Sequence, residues 1–593
     1  MCPGINKSIP SGGRVPGVRK VALDILLNHH LQPKPLDATL KEFAGALSSL
    51  ERRDRQLLLA LVHETLRYRG YLDKLAGRYS KHPIARMKPL TLNAIRLGLV
   101  QLLFFDRIPP SAAINETIKA LKSARQPAWL TGFVNALLRS AARDIAKLNQ
   151  EKGLDQTVLE TYPPWLLKRW RQQWGEERAL ARCRANNAPP PLVLRVNPRL
   201  VSGHRAPHLA APCDRLHLKL CDRILRLTRV EEFRRRLQDQ GLEVQTGSYL
   251  PDALLLPRYH GPIEKLPGYH QGSFSVQDEA AQLVTLLMFD PQLEDQRIAG
   301  DPGKPEEYLN QSAKSCPQGQ REIFFLDACA GLGGKTGQLA ELLPENAWLT
   351  ALEPNADRFA LLRENLQRLG FSADASVEAA SAGSGKALGD GLSGRHHGEK
   401  KGGDGGQRGR APRIMLHQVT LEEFAAGRSH ISPPCPTTGS FEIRQDSESC
   451  MGLKNQEPGS LFSAILVDAP CSGLGVIRRH PDIRWNRRAD DLARYRRRQI
   501  ELLQAASSLL APGGILVYVV CSSEPEENQE VVERLLELVP ALKLSDPRGS
   551  LPPDACKLVD NSGFFRSFPE HGMDGFFAAR LVREADCPKM RCG

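Results

Sequence analysis

The chain has 593 residues, more than one hydrophobic core organises, so several domains are expected. No apolar run approaches the roughly 20 residues of a membrane span, and residues 1–15 form a flexible Gly- and Pro-rich tail without the apolar core of a secretory signal, so we predict a soluble, cytoplasmic protein. The 13 cysteines are odd in number and include no Cys-x-x-Cys pair, which argues against a disulfide framework and against a zinc site.

Residues 16–150 are predicted to form an all-helical bundle, because apolar residues recur there at spacings of three and four. The chain's net charge of +13 is concentrated in this part, since residues 14–150 hold 23 Lys and Arg but only 10 Asp and Glu. A basic module on a neutral body favours a polyanionic partner such as nucleic acid. A basic surface that only promotes solubility is the alternative.

Two further domains are predicted after the bundle. Residues 160–265 contain two strand-like runs around a helical stretch, which indicates a small α+β module that links the other two domains. From 271 to 590, short apolar runs alternate with helical patterns, as in an α/β domain whose parallel strands are buried on both faces. Polar, Gly-rich insertions are predicted in this domain at 294–321 and at 372–412, the second extending as far as 460.

A glycine-rich turn follows the first predicted strand of the α/β domain. It contains Gly331, Gly333 and Gly334 and leads into an apolar helix, so its backbone can approach a ligand closely at a helix N-terminus. The next strand ends in Glu353, where a carboxylate can hold the two hydroxyls of a ribose. This pattern predicts a pocket for a nucleoside cofactor and suits NAD and S-adenosylmethionine equally.

Two later strands each lead into a loop that carries a cysteine. Asp468 and Cys471 follow the strand at 464–467, and Cys521 follows the strand at 515–520. Because the carboxyl ends of parallel strands form the site edge of an open α/β sheet, we expect these side chains near the cofactor pocket. The alternative is that both cysteines are small buried hydrophobic residues, as most free cysteines are.

Two thiols and a carboxylate suit one kind of pyrimidine chemistry. Carbon 5 of cytosine is a poor nucleophile, but addition of a thiolate to carbon 6 makes an enamine that can attack an activated methyl group. A carboxylate near the ring nitrogens or the exocyclic amine would stabilise the developing charge. Ser523 and Glu526 have the spacing of a helix capping box, which would place the Cys521 thiol beside a helix N-terminus and activate it.

Several segments resemble a known family. Asp468-Ala-Pro-Cys-Ser-Gly and Cys521-Ser are similar to motifs IV and VI of the RNA cytosine-carbon-5 methyltransferases. Further similarity, to the bacterial small-subunit ribosomal RNA group of this family (the RsmB, Sun or Fmu type), lies in segments 274–279, 475–485 and 573–577. Similarity to the NusB-type RNA-binding domain attached to these enzymes lies in segments 110–116 and 133–139.

The resemblance implies a fold, a reaction and a set of site residues. The fold would be a Rossmann-like S-adenosylmethionine methyltransferase domain after an all-α NusB-like bundle and a small α+β module, acting as a monomer on 16S ribosomal RNA. Cys521 would be the nucleophile, Cys471 would assist product release, and Asp468 would contact the target base beside the cofactor. S-adenosylmethionine would be held by Asp468, Glu353 and the loop residues Cys329, Ala330, Gly331, Leu332, Gly333, Gly334 and Lys335.

One departure from the family concerns the third strand of the sheet, which normally ends in an Asp that faces the adenine. The candidate segment here, 414–420, contains no carboxylate, so Gln418 or Thr420 would have to supply a hydrogen bond instead. Weaker affinity for the cofactor is the expected cost.

The segment 478–498 is predicted to contact RNA. It has nine Arg and three Asp interleaved with aromatic residues; Arg binds phosphates with two parallel hydrogen bonds, and aromatic rings stack on unpaired bases. A solvated helix face is the alternative. The residues that we expect at the RNA are Arg478, Arg479, His480, Arg484 and Trp485.

Three other functions compete with an RNA cytosine methyltransferase. A non-catalytic RNA-binding or assembly factor would explain the degenerate third strand but not the intact Cys471, Cys521 and Asp468. An amino-group methyltransferase typically presents an Asn/Asp-Pro-Pro-aromatic loop, which this sequence lacks at Asp468. A dinucleotide dehydrogenase has no evident use for paired thiols.

Overall fold

The computed structural model describes residues 17–197, 199–200, 215–289, 323–344, 346–376, 412–427 and 461–585. The predicted tail and the predicted insertion at 294–321 lie outside the described residues. Within the described ranges, every helix is too short or too polar to cross a lipid bilayer.

The amino-terminal part of the described chain is an all-helical bundle, as the sequence predicts. Its helices are α1 (Val18–Leu31), α2 (Leu36–Glu42), α3 (Ala44–Ser48), α4 (Arg52–Arg67), α5 (Arg69–Tyr79), α6 (Pro89–Phe104), α7 (Pro110–Ser123), α8 (Ala128–Arg143), α9 (Ile145–Glu151) and α10 (Asp155–Leu159). Helix α6 is buried along most of its length because apolar residues occupy nearly all of its faces. The other long helices pack one apolar face each against it and against one another, which closes a single core.

A small α+β module follows the bundle. It contains α11 (Pro164–Asn187), α12 (Arg215–Asp239) and the strands β1 (Leu192–Val196), β2 (Gln245–Thr246), β3 (Ala253–Leu256) and β4 (Phe274–Val276). The strands form an antiparallel sheet in the order β2-β3-β1-β4, and α12 packs on it through Phe233 and Leu237. The sequence placed 274–276 in the α/β domain, but pairing of β4 with β1 extends the small module to Val276.

The rest of the described chain is an α/β domain. Its strands are β5 (Ile323–Asp327), β6 (Ala347–Leu352), β7 (Ala373–Ser376), β8 (Arg413–His417), β9 (Phe462–Asp468), β10 (Leu510–Val520), β11 (Leu542–Ser545), β12 (Phe565–Arg566) and β13 (Phe577–Arg583). Its helices are α13 (Glu279–Leu286), α14 (Gly334–Leu342), α15 (Ala356–Arg368), α16 (Leu421–Ala426), α17 (Ile483–Asn486), α18 (Asp491–Leu509) and α19 (Gln529–Leu538).

The sheet of this domain has the order β7-β8-β6-β5-β9-β10-β13-β11, and β12 pairs with β13. Neighbours from β7 to β10 are parallel, and β13 is antiparallel. Apolar clusters cover both faces, as the unalternated apolar runs predict. The chain proceeds from β5 outward in one direction to β6 and β8, and then in the other to β9 and β10. Open α/β sheets bind ligands at such a reversal point, here between β5 and β9.

The predicted insertion at 372–412 begins later than the sequence suggested. Residues 373–376 form β7 at the edge of the sheet, so the insertion starts after Ser376. It also does not run unbroken to 460, because β8 and α16 lie between the two segments outside the described residues, 377–411 and 428–460.

Candidate active site

The glycine-rich turn after β5 is shaped for close approach of a ligand. Gly333 has a φ of +86°, and a Cβ at this position would lie 2.6 Å from Leu362 Cδ1, so only glycine fits. Thr336 Oγ1 donates to Asp327 Oδ2 at 2.7 Å, and the backbone N–H of Cys329 also donates to this buried carboxylate. Burial raises the pKa of Asp327 to about 6. Among the described residues, none lies within 4 Å of a Cβ built at Gly331 or Gly334, so the backbone of the turn is open to the close approach of a ligand.

Glu353 follows β6, directly beside this turn. Ala330 N donates to Leu352 O at 2.9 Å, which fixes the turn against the end of β6. The Glu353 side chain is buried, and its Oε1 accepts from Asn355 N at 2.9 Å. The predicted carboxylate thus lies at the expected end of the second strand.

The end of β8 carries the two residues considered as replacements for the family's acidic residue. Thr420 is occupied elsewhere: its hydroxyl accepts from Glu423 N at 3.2 Å, and Glu423 accepts in return from Thr420 N at 2.8 Å. This reciprocal pair is the capping box of α16. Of the two candidates, Gln418 is therefore the one whose side chain is not used to begin a helix.

Lys335 and Asp468 connect the cofactor turn to the loop after β9. Lys335 lies in the first turn of α14, and its Nζ lies 2.6 Å from Asp468 Oδ2. Burial acts to lower the pKa of Lys335, but the Asp468 carboxylate outweighs it and the pKa is raised. Asp468 is therefore held in place by a cation at the N-terminal end of α14.

The two cysteines of the predicted site are in contact. Strands β9 and β10 are parallel neighbours with Asp468 opposite Val519, so their following loops leave the sheet side by side. As a result, Cys471 Sγ lies 3.1 Å from Cys521 Sγ, and both residues are partly exposed. The hydrogen bond with Cys521, together with burial, holds the pKa of Cys471 well above its usual range.

Glu527 is a site residue that the sequence analysis missed. It is fully buried beneath the two cysteine loops, and it accepts hydrogen bonds from Ser472 and Ser522, the residues that follow the two cysteines. Glu527 belongs to an acidic run, 524–527, and such runs are usually solvated. A serine follows each of the two cysteines, and this match between the two loops could have indicated a shared buried hydrogen-bond acceptor.

The predicted activation of Cys521 by a capping box is wrong. Ser523 Oγ donates to the neighbouring Glu524 side chain, and Glu526 forms an ion pair with Arg169 of α11. Residues 525–527 form a short 3₁₀ turn, and α19 begins only at Gln529 without a side-chain cap. Pro525 and the buried carboxylates redirect the chain before a regular helix can start.

Arg478 and Arg479 belong to a buried charge cluster instead of an open RNA surface. Arg478 pairs with Asp574 at 2.5 Å and with Asp278 at 3.0 Å, and Arg479 pairs with the same two carboxylates at 2.6 and 2.7 Å. Asp278 is also the N-cap of α13. We therefore correct the predicted RNA contact of Arg478, which is 4% exposed, and assign both arginines to this cluster.

Arg484 and Trp485 dock the α/β domain onto the helical bundle. Arg484 is fully buried, and its Nη1 donates to Arg67 O, Thr161 O and Asn187 Oδ1. Trp485 Nε1 donates to Leu66 O at 2.6 Å.

The predicted RNA contacts of Arg484 and Trp485 are therefore corrected to interdomain contacts. Of the five residues expected at the RNA, His480 has the most open setting. Its side chain is 43% exposed, and its Nδ1 lies 3.8 Å from Asp37 of the bundle. The prediction that RNA reaches His480 remains a prediction.

Sequence families match the chain in the order of its domains. The NusB family matches residues 17–143, and the ferredoxin-like domain of RsmF/B-like methyltransferases matches 162–206. The family described as 16S rRNA methyltransferase RsmB/F matches 317–388 and 441–582.

Individual proteins are similar to the chain over nearly its whole length. The ribosomal RNA small subunit methyltransferase B of Pseudomonas syringae pv. tomato is 30% identical over 539 residues, which cover 91% of each chain. The protein of the same name from Pseudomonas putida is 30% identical over 542 residues, 91% of this chain and 93% of its own. A crystal structure of the protein PH0851 shares the fold, with a TM-score of 0.56 and 20% identity over 97% of this chain and 99% of its own. The chain therefore belongs to the RsmB/F family of 16S rRNA methyltransferases.

Proposed function

We propose that this protein uses S-adenosylmethionine to methylate carbon 5 of a cytosine in 16S ribosomal RNA, with Cys521 as a covalent nucleophile. The observation that carries the proposal is the pair of thiols 3.1 Å apart, at the same sheet edge as the Lys335–Asp468 pair. Neither an amino-group methyltransferase nor a dehydrogenase has a use for two touching thiols. Family membership supports the substrate class.

The residues around the turn after β5 fit a nucleoside cofactor. The uncovered backbone at Gly331 and Gly334, next to the N-terminus of α14, suits a polar ligand that lies against the turn. In this proposal Glu353 holds the ribose hydroxyls, and residues 329–335 with Asp468 hold the amino-acid end. S-adenosylmethionine supplies a methyl group activated by a sulfonium charge.

Covalent activation of the base is assigned to Cys521. Cys471 keeps its proton at neutral pH because its pKa is raised, so its S–H can donate to Cys521 Sγ and stabilise an anion there. The Cys521 thiol gives its proton to solvent and its sulfur bonds to carbon 6; the electron pair displaced from the 5,6 double bond makes carbon 5 nucleophilic enough to take the methyl group. Asp468, paired with Lys335, binds the ring nitrogen or the exocyclic amine.

Release of the product is assigned to Cys471. Its hydrogen bond with Cys521, the largest cause of its raised pKa, is lost once Cys521 is bonded to carbon. Cys471 can then give its proton to solvent and, as a thiolate, remove the proton from carbon 5. The electron pair of that C–H bond restores the ring double bond and expels the Cys521 thiolate.

RNA is proposed to reach the site from the side of the NusB-like bundle, whose excess of Lys and Arg suits a phosphate backbone. A base must be unpaired or extruded to meet two thiols at a sheet edge. The protein would act on 16S ribosomal RNA as a monomer, in the cytoplasm, where that RNA is assembled.

The test is a covalent trap. RNA that contains 5-fluorocytosine has no proton at carbon 5 to remove, so the Cys521 adduct should persist after denaturation when S-adenosylmethionine is present. The adduct should disappear in Cys521→Ala and still form in Cys471→Ala. If wild-type protein forms no adduct with any small-subunit RNA fragment, the protein is better explained as a non-catalytic RNA-binding assembly factor with a degenerate cofactor site.

A further inference from the structure

Glu527 joins the loops that carry the two thiols. Its Oε1 accepts from Ser472 N at 2.7 Å, and its Oε2 accepts from Ser472 Oγ at 2.5 Å and from Ser522 Oγ at 2.6 Å. Ser472 follows Cys471, and Ser522 follows Cys521. A single carboxylate therefore holds the neighbour of each thiol.

The carboxylate is itself fixed from two further directions. Gln499 of α18 donates to Glu527 Oε1 at 3.2 Å and to Pro470 O at 3.0 Å, so it also holds the residue before Cys471. The Tyr518 hydroxyl of β10 donates to Glu527 O at 2.6 Å. Both the side chain and the backbone of Glu527 are thus tied to elements that do not belong to the cysteine loops.

Burying the Glu527 carboxylate in the protein interior costs desolvation free energy. Burial raises the pKa of Glu527, and hydrogen bonds from four donors act against that rise. Buried charges are commonly no better for stability than well-packed apolar side chains. An apolar residue at this position could not form directional contacts to two loops at once.

We infer that Glu527 is a positioning residue that fixes Cys471 against Cys521, so that one thiol can remove the carbon 5 proton while the other is bonded to carbon 6. The inference rests on the proposed covalent mechanism. Attack by Cys521 is assisted by the Cys471 S–H, but only the Cys521 sulfur has to reach the base. Release requires both thiols at defined positions around the same ring, and a displacement of about 1 Å can lower a rate on the order of 100-fold.

Glutamine provides a conservative substitute at this position. In Glu527→Gln the amide oxygen can accept from Ser472 N and Gln499, and the amide nitrogen can donate to the oxygens of the two serine hydroxyls. The contacts are kept while the charge is removed. Glu527→Ala removes every side-chain contact and leaves the donors of Ser472 and Gln499 without their acceptor.

The experiment compares both variants with wild-type protein in steady-state methylation of small-subunit RNA, with thermal unfolding to verify the fold. Glu527→Ala should lower kcat by about 100-fold with the KM for S-adenosylmethionine unchanged, and should accumulate a covalent complex with unmodified RNA because release is slowed. Glu527→Gln should retain kcat within about tenfold. Glu530→Ala, which changes a partly exposed residue in the helix that follows Glu527, is the control for the segment and should behave as wild type.

Two outcomes would overturn the inference: Glu527→Ala turning over like wild type, or Glu527→Gln losing as much kcat as Glu527→Ala. If Glu527→Ala fails to fold, Ser522→Ala removes the contact from Ser522 Oγ to Glu527, together with the weaker contacts of that hydroxyl to Ser472 Oγ and Glu524 N, and should lower kcat several-fold without a change in KM. Failure of the proposed function is recognised separately, because wild-type protein would then form no adduct with 5-fluorocytosine RNA.

Discussion

The loop after β9 contains two halves with opposite roles. Its first half, 468–475, lies at the edge of the sheet, where Asp468 and Cys471 face the site. Its second half, 478–485, is basic and turns inward, where Arg478 joins a charge cluster and Arg484 donates to the helical bundle. Arg478 and Arg484, although charged, are buried in this second half.

Gly475 lies at the junction between the two halves, and its backbone contacts explain how one loop can both line the site and dock on the bundle. Gly475 N donates to Cys521 O, and its own carbonyl accepts from Gly575 N at 2.8 Å. A Cβ at Gly475 would lie 2.0 Å from Gly575 O, so any larger residue would separate these segments. The contact ties the cysteine loops to the chain beside Asp574, and the docking half starts from that fixed point. A dense run of arginine therefore says little about solvent exposure when carboxylates and free carbonyls lie within its reach.

Under the proposed mechanism, substitution in the first half, 468–475, should affect the rate of methyl transfer more than stability. In Asp468→Asn the charge that pairs with Lys335 is removed, and we expect the rate of methyl transfer to fall by about 100- to 1000-fold. Single-turnover methylation with saturating S-adenosylmethionine measures that rate, and urea unfolding serves as the control. A rate within threefold of wild type would show that the carboxylate does not contact the reacting base.

Substitution in the docking half should do the reverse. In Trp485→Ala the indole that packs on the bundle and donates to Leu66 O is lost, and we expect the free energy of unfolding to fall by about 3 kcal/mol. Urea unfolding followed by far-UV circular dichroism gives the stability, and limited proteolysis detects release of the bundle. The single-turnover rate at saturating RNA should stay within threefold of wild type. A large loss of that rate with unchanged stability would instead place Trp485 at the RNA.

The sequence predicted the elements that depend on local pattern and failed where the partner is distant. The buried parallel strands, the turn at Gly333 and the two cysteine loops follow from apolar runs and strand-end chemistry. The partners of Arg484 and of Glu527 could not be predicted, because backbone carbonyls and serine hydroxyls carry no signature of which distant charge they bind. The capping pattern at Ser523 was misleading for the same reason, since Arg169 of another domain takes the Glu526 carboxylate.

The smallest expected effect concerns the affinity for RNA and its salt dependence. It distinguishes arginines that contact RNA from arginines that stabilise the fold. Arg497 is exposed on α18, so Arg497→Ala should weaken RNA binding a few-fold and reduce the slope of log affinity against log salt by about one. Arg479→Met should leave that slope unchanged, because Asp278 and Asp574 already neutralise the guanidinium. Filter binding across a salt series measures both, at a temperature where each variant is folded. Equal slopes for Arg497→Ala and wild type would mean that α18 does not lie along the RNA, whereas a reduced slope for Arg479→Met would mean that RNA opens the charge cluster when it binds.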